Sequence, residues 1–86
     1  MSEFEQVAKF MYEHMEQFSD HQKLALYGLY KQATQGNYDA NTETKTLIDR
    51  YKANAWKKNM NMSKEDARAR YLLIGNKFKT ILNRNK

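Results

Sequence analysis

The sequence predicts an all-α fold, and three observations lead to that prediction. Apolar residues recur every three to four positions over four segments, a helix-start signal precedes each segment, and no stretch alternates with the two-residue period of a β-strand. A chain of 86 residues has room for one compact core and not for two. We therefore predict a single domain over residues 1–86, built as a small four-helix bundle.

The first predicted helix covers residues 3–17 and the second covers residues 20–35. Ser2 with Glu5 forms the start signal of the first helix, whose apolar residues are expected to fill the core: Phe4, Val7, Ala8, Met11, Met15 and Phe18. Ser19 supplies the next start signal, and Gly36 is expected to end the second helix.

The polar segment 37–46 is predicted to be an ordered loop, and two further helices follow it. Thr46 or Asp49 can start a third helix over residues 48–60, in which Trp56 is expected to anchor the core. Ser63 begins a fourth helix that reaches about residue 83. Its buried stripe is predicted to be Ala67, Tyr71, Ile74, Phe78 and Ile81.

The composition argues against several classes of function. The chain has no cysteine and two histidines, so we expect no disulfide and no metal site. Its serines stand at predicted helix starts and its three glycines are scattered, so neither a catalytic set nor a phosphate loop is recognisable. We expect no enzymatic activity and no cofactor. The acidic start and the lack of a long apolar run predict a cytoplasmic protein.

The charge is distributed unevenly along the chain. Residues 1–44 hold three basic and seven acidic side chains, a net charge of −4, whereas residues 45–86 hold twelve basic and three acidic side chains, a net charge of +9. The second half is therefore the half that favours anions, although most of its lysines are expected to be solvated.

The run from Leu24 to Gly36 is the segment where a function is expected. On a helix it places an apolar side, Leu26, Leu29 and Ala33, next to a polar side, Tyr27, Tyr30, Lys31 and Thr34. Two phenols and an ammonium group on adjoining turns suit a ligand that carries both a flat ring and a phosphate.

Three blocks of sequence, in order and at matching spacing, resemble the acyl-CoA-binding protein family. They are Leu-Tyr-Gly-Leu-Tyr-Lys-Gln-Ala-Thr-Gln-Gly at 26–36, Tyr-Lys-Ala-Asn-Ala-Trp at 51–56 and Met-Ser-Lys-Glu-Asp-Ala-Arg-Ala-Arg-Tyr at 62–71. The resemblance implies a four-helix bundle that binds long-chain acyl-CoA thioesters non-covalently and serves as an intracellular carrier and pool former. It also implies a monomer that makes transient contacts with acyl-CoA-using enzymes or membrane surfaces.

The resemblance further implies a role for each of seven residues. Tyr30 would flank or stack on adenine. The ribose 3′-phosphate and its neighbours would be met by Tyr27, Lys31, Lys52 and Tyr71. Leu24 would lie along the path of the acyl chain, and Ala8 would lie near the head group.

The sequence departs from the family pattern at several places. Ala53 stands where an aromatic residue is usual, Asn37 stands where an aspartate is usual, and Tyr12 stands where a lysine is often found. The Pro-Gly turn usual in the long loop is missing from residues 37–46. The resemblance therefore predicts neither the conformation of the loop nor a phosphate contact at position 12.

Two other functions are compatible with the sequence. A basic, aromatic-rich helical domain can bind nucleic acid through its +9 half, although no helix pairs a basic groove-reading face with dimer symmetry. A protein-interaction domain that uses the Met-rich first helix would instead expose an apolar stripe on that helix. We rank both below acyl-CoA binding and expect no nucleic-acid partner.

Overall fold

The computed structural model describes residues 2–42 and 44–84, which form four α-helices. These are Glu3–Glu13 (α1), Asp20–Gln35 (α2), Leu47–Lys57 (α3) and Lys64–Arg84 (α4), and a short 3-10 turn, Met15–Gln17, follows α1. The described residues contain no β-strand. The predicted all-α, four-helix architecture is confirmed.

The first helix is shorter than predicted, because it ends at Glu13 and not at residue 17. His14 leaves helical geometry at φ −113° and ψ 18°. Its ring stacks on Phe10 with centroids 4.1 Å apart, and its Nδ1 lies 2.9 Å from the Phe10 carbonyl oxygen. The chain then turns, so Met15 is 41% exposed and is not the core residue that the helical spacing predicted.

The second helix has the predicted bounds. Ser19 Oγ accepts the Gln22 N–H at 3.1 Å, and Gln22 Oε1 accepts the Ser19 N–H at 2.9 Å, so two N–H groups at the helix start are satisfied. Gly36 ends the helix at φ +83°, a conformation that glycine adopts without a steric cost.

The third helix begins one residue earlier and ends three residues earlier than predicted. Thr46, one of the two candidates, is the N-cap: its hydroxyl accepts the Asp49 N–H at 3.0 Å. After Lys57 the N–H groups of Asn59 and Met60 donate to carbonyls three residues back, and Asn61 has a positive φ of 70°. This turn stops the helix before Met60.

The fourth helix begins after Ser63, as predicted, and extends one residue further, to Arg84. Of its predicted stripe, Ala67 and Tyr71 are buried and Ile74 and Phe78 are partly buried against the core, whereas Ile81 is 47% exposed and Leu82 packs against the core instead. The predicted stripe has an average spacing of about 3.5 residues, whereas the α-helix has about 3.6 residues per turn. Over several turns the buried side therefore moves to a later position, from 81 to 82.

Helix α2 is the central element, because it packs against both α3 and α4, while α1 packs against α4. The buried core consists of Phe4, Val7, Met11, Phe18, Leu26, Leu29, Ala33, Ala67 and Tyr71. Trp56 is buried as predicted, and its indole N–H donates to the Gly36 carbonyl at 2.8 Å. Since Phe4, Val7 and Met11 of α1 are buried in this core, a protein-interaction role that uses an exposed apolar stripe on α1 is not favoured.

Glycine lets two helix pairs approach closely. A Cβ at Gly28 would overlap the carbonyl oxygen of Ala55 on α3, and a Cβ at Gly75 would overlap Cγ1 of Val7 on α1. No helix within the described ranges combines the length and apolar character needed to cross a bilayer.

Candidate functional site

Two adjoining cavities open on one face of α2. The larger, which we call the apolar groove, has a volume of about 360 Å³ and is lined by Ala8, Met11, Tyr12, Met15, Phe18, Lys23, Leu26, Tyr27, Tyr30 and Tyr71. The smaller, the basic pocket, has a volume of about 200 Å³ and is lined by Tyr27, Lys31, Gln35, Tyr38, Thr42, Thr44, Asp49, Lys52, Ala53 and Trp56. Tyr27 lines both cavities and so forms their common wall.

Two ammonium groups flank aromatic rings in the basic pocket. Nζ of Lys31 lies 4.9 Å from the Trp56 ring centroid and 6.0 Å from that of Tyr27, and Nζ of Lys52 lies 5.4 Å from the Tyr27 centroid. Lys31 belongs to α2 and Lys52 to α3, and these helices pack closely at Gly28, so both lysines line the same pocket. Cations held over aromatic faces keep their side chains ordered without neutralising their charge.

One carboxylate, Asp49, shares the basic pocket with these lysines. Its Oδ2 accepts the backbone N–H groups of Lys45 at 3.2 Å and Thr46 at 3.3 Å. These bonds, first that of Lys45, hold the pKa of Asp49 below its ordinary value, with a smaller contribution from the charge of Lys52. Two ammonium groups therefore face one carboxylate that is already engaged by the backbone, and the pocket suits an anion.

Two phenols of the site, those of Tyr27 and Tyr71, stay protonated at neutral pH. Burial, and then the charge of Asp49, raises the pKa of Tyr27. Burial, with a smaller effect of Tyr30, raises the pKa of Tyr71 to about 12. A neutral phenol can donate its O–H to an anionic oxygen, which a phenolate cannot do.

An aromatic cluster forms the end of the apolar groove nearest the start of α1. Phe4 stacks on Tyr30 with centroids 5.7 Å apart and an interplanar angle of 10°, and Tyr71 is tilted against both rings at 5.1 and 6.0 Å. Tyr30 is 39% exposed, whereas Tyr71 is only 4% exposed. Tyr30 thus leaves part of its ring exposed at the groove, while Tyr71 is mainly a buried packing residue there.

The structure brings six of the seven predicted site residues to this face. Tyr27, Lys31 and Lys52 line the basic pocket, whereas Ala8, Tyr30 and Tyr71 join Tyr27 along the apolar groove. Tyr71 therefore lies with Tyr30 and not among the residues that line the basic pocket.

Leu24 is the exception, because it lines neither of these two cavities, and its role along the path of the acyl chain stays a prediction. It lines a third cavity of about 760 Å³ between α2, α3 and α4. At about 100° per residue, position 24 is rotated by about 120° from position 30 but by only about 20° from position 31, so Leu24 lies on the side of α2 that carries Lys31, about two turns before it.

Several lining residues were not predicted from the sequence. Lys23 and Leu26 lie one turn before Tyr27 and Tyr30 on the same helix face, and the same three- and four-residue spacing could have found them. Tyr38 packs edge-on against Trp56 with centroids 5.2 Å apart. Thr42 and Thr44 come from the irregular loop, where local sequence gives no such periodicity.

The three single-residue departures from the family pattern have different structural outcomes. Ala53 is buried and lines the basic pocket, where its methyl group leaves space. Asn37 keeps an acceptor role: its Oδ1 accepts from Gln32 Nε2 at 2.9 Å and from the Asn61 N–H at 2.8 Å. Tyr12 is 75% exposed at the edge of the apolar groove.

The described residues hold no group of three or more His, Cys, Asp or Glu side chains placed to bind a metal ion.

Comparisons with known proteins agree on one family. The family described as "Acyl CoA binding protein" matches residues 1–74. The chain is 36% identical over 75 residues to the acyl-CoA-binding protein of Dictyostelium discoideum, covering 86% of this chain and 89% of that protein. It is 44% identical over 71 residues to acyl-CoA-binding domain-containing protein 2 of Oryza sativa subsp. japonica, covering 81% of this chain and 78% of that protein.

A solved structure gives the same result. The crystal structure of Oryza sativa acyl-CoA-binding protein 2 superposes with a TM-score of 0.85 at 36% sequence identity, covering 98% of this chain and 94% of that chain. The resemblance carried by the three sequence blocks is confirmed, and the chain belongs to the acyl-CoA-binding protein family.

Proposed function

We propose that this chain binds long-chain acyl-CoA thioesters non-covalently and carries them through the cytoplasm without changing them. One observation carries the proposal: an apolar groove and a basic pocket lie side by side and share Tyr27 as a wall. An acyl-CoA has the same two-part character, because a long hydrocarbon chain is joined to a phosphorylated nucleotide. Each part of the ligand then finds a cavity of matching chemistry.

The basic pocket is proposed to hold the phosphates of the nucleotide. Lys31 and Lys52, whose ammonium groups lie 6.0 and 5.4 Å from the Tyr27 ring centroid, would supply charge, and the Tyr27 hydroxyl would donate a hydrogen bond to a phosphate oxygen. The exposed ring of Tyr30 flanks the adenine, and a base stacked on an aromatic residue is worth about 1 to 3 kcal/mol. Ala8 and Tyr71 are assigned to the groove wall beside the head group.

The apolar groove is proposed to hold the acyl chain. Each methylene withdrawn from water contributes about 0.8 kcal/mol, so ten further carbons can outweigh the adenine contact. The protein would therefore bind long-chain thioesters far better than free coenzyme A. A carrier of this kind requires no cofactor and makes no covalent change. We propose that it acts as a monomer, with transient contacts to acyl-CoA-using enzymes or membrane surfaces.

Calorimetric titration with coenzyme A and with acyl-CoAs of rising chain length tests this proposal. We expect the affinity to rise with chain length, because each added methylene leaves water. Lys31→Ala and Lys52→Ala are each expected to weaken binding by about ten- to a hundredfold at every chain length, since a hydrogen bond to a charged group contributes about 1.5 to 3 kcal/mol.

Lys77→Ala is the matched control, because Lys77 is an exposed lysine of α4 that lines neither cavity. It removes the same charge from the chain and should leave affinity unchanged. Affinity that ignores chain length, or that falls equally in all three variants, would contradict the proposal.

A further inference from the structure

The lining of the apolar groove includes one charged side chain. Of the described residues that line the apolar groove, only Lys23 carries a charge at neutral pH. Its side chain is 37% exposed, so most of its surface is packed against protein. A lysine in such a position covers apolar surface with its hydrocarbon stem and holds its ammonium group at the rim.

The existing partner of Lys23 is weak. Oδ1 of Asp20 lies 3.9 Å from Lys23 Nζ, and the Asp20 side chain is 98% exposed. Water and salt screen a pair of this length and exposure, and such pairs contribute little. A carboxylate that arrived inside the groove would therefore meet an ammonium group that is not already committed to a strong ion pair.

Lys23 lies at the end of the groove away from the basic pocket. It occupies the first turn of α2, eight residues before Lys31, which corresponds to about 12 Å along the helix axis. Tyr12 of α1 lines the same groove from the opposite wall, is 75% exposed and carries a hydroxyl group. A ligand anchored by its phosphates in the basic pocket would extend its other end toward these two polar groups.

We propose that Lys23 selects acyl-CoA thioesters whose acyl chain carries an anionic group at its far end, such as the mono-CoA thioesters of α,ω-dicarboxylic acids. This inference rests on the proposed function, because it needs the acyl chain to lie in the apolar groove. A distal carboxylate in an apolar groove without a partner would lose its hydration, which is costly. The Lys23 ammonium offsets this loss with a charge-assisted hydrogen bond.

The inference predicts that the gain in affinity from the distal carboxylate depends on the length of the acyl chain. General electrostatic attraction does not produce such a dependence. A fixed ammonium group at the end of a groove can meet a carboxylate only when the chain has the right reach. The gain from the distal carboxylate, measured against a methyl-terminated chain of equal length, should therefore pass through a maximum as the chain grows. A diffuse effect of the protein's net charge would give the same gain at every length.

The test is calorimetric titration of the full chain with paired ligands of equal length, one ending in a methyl group and one in a carboxylate. Lys23→Met keeps the unbranched stem and removes the charge. We expect it to reduce the affinity ratio of the carboxylate ligand to the methyl ligand by about three- to tenfold at the optimal length. Asp20→Asn removes the competing carboxylate and should raise the same ratio.

Lys9→Met is the control, because Lys9 is an exposed lysine of α1 outside the groove lining. It should leave the ratio unchanged. A ratio that Lys23→Met does not alter, or that Lys9→Met alters equally, overturns the inference while leaving acyl-CoA binding intact. Failure of both ligand series to bind the unmodified chain would overturn the proposed function together with it.

Discussion

Gln32 is a fully buried amide that ties the end of α2 to two loops. Its Nε2 donates to Asn37 Oδ1 at 2.9 Å and to the Met62 carbonyl at 2.8 Å. Asn37 Oδ1 also accepts the N–H of Asn61, a residue held at φ +70°. The oxygen of Asn37 thus satisfies donors from α2 and from the turn after α3. The side chain at position 37 is therefore needed mainly as an acceptor.

Two substitutions at position 37 test whether stability requires only a hydrogen-bond acceptor or an asparagine in particular. Asn37→Ala leaves one buried donor of Gln32 without its partner and is expected to reduce the free energy of unfolding by about 1 to 2 kcal/mol. Asn37→Asp keeps the acceptor and adds a charge-assisted bond, so its stability should match or exceed that of the unmodified chain. Urea unfolding followed by circular dichroism measures both, and an equal loss in the two variants would contradict the interpretation.

At the level of single residues, the sequence predicts roles that depend on a local pattern. The caps at Ser19 and Thr46 follow from hydrogen bonds to residues three positions away, and both are observed. The position of Leu24 could not be derived in this way. Which cavity each residue of α2 lines depends on where α1, α3 and α4 pack, and that is decided by contacts distant in sequence.

At the scale of the helices, two glycines allow close crossings, and these crossings set the distance between the helices that line the site. Gly28 lies against the backbone of α3 at Ala55, whereas Gly75 lies against a side chain of α1, that of Val7. A side chain can move aside, but a backbone carbonyl can move only with its helix. The two glycines therefore differ in what a methyl group would displace.

Gly28→Ala and Gly75→Ala should both destabilise the fold, by about 1 to 3 kcal/mol each, although alanine favours helices more than glycine does. Thermal unfolding measures the loss. Combining Gly75→Ala with Val7→Ala should restore part of the stability in a double-mutant cycle, because the obstructing atom is removed. Ala55→Gly should give no such rescue of Gly28→Ala. Strict additivity in the Val7 cycle would show that the two residues do not interfere.

Gly28→Ala is also expected to weaken ligand binding. It would displace α3, which carries Lys52, relative to α2, which carries Lys31. Gly75→Ala is expected to displace neither lysine, because it lies at the crossing of α1 and α4, which carry the groove-lining residues Ala8 and Tyr71.

Helix starts were predicted from the sequence more accurately than helix ends. The starts of α2 and α4 fall where Ser19 and Ser63 predict them, because an N-cap is a local arrangement. The early ends of α1 and α3 depend on other contacts. His14 packs on Phe10, and the turn after Lys57 is held by Asn37 from 24 residues away. The second of these contacts cannot be derived from local periodicity.

At the scale of the whole molecule, the basic second half of the chain does not by itself define the site. Of its twelve basic side chains, Lys52 lines the basic pocket, and it acts there together with Lys31 from the acidic first half. The uneven charge along the sequence predicted an anion-binding protein. The geometry of the pocket, however, comes from the crossing of α2 and α3, which no sum of charges predicts.

Salt should affect the binding of the nucleotide part and of the acyl chain differently. Raising ionic strength from about 10 mM to about 1 M shortens the screening length from about 30 Å to about 3 Å, so affinity for coenzyme A alone should fall. The gain in affinity per added methylene should stay constant, because hydrocarbon burial does not depend on screening. Titrations at several salt concentrations measure both quantities.

The same salt series distinguishes acyl-CoA binding from nucleic-acid binding. An oligonucleotide bound through the basic half would lose affinity steeply with salt, because counterions are released on binding. Oligonucleotide affinity that matched acyl-CoA affinity at physiological salt would favour the nucleic-acid function instead.

The single tryptophan of the chain forms part of the basic pocket, with the Lys31 ammonium 4.9 Å from its ring. Indole emission is sensitive to a nearby cation and to changes in its solvation. Trp56 therefore gives this protein an intrinsic fluorophore at the place where the nucleotide is proposed to bind. Occupancy of the pocket can be followed optically in the unlabelled chain.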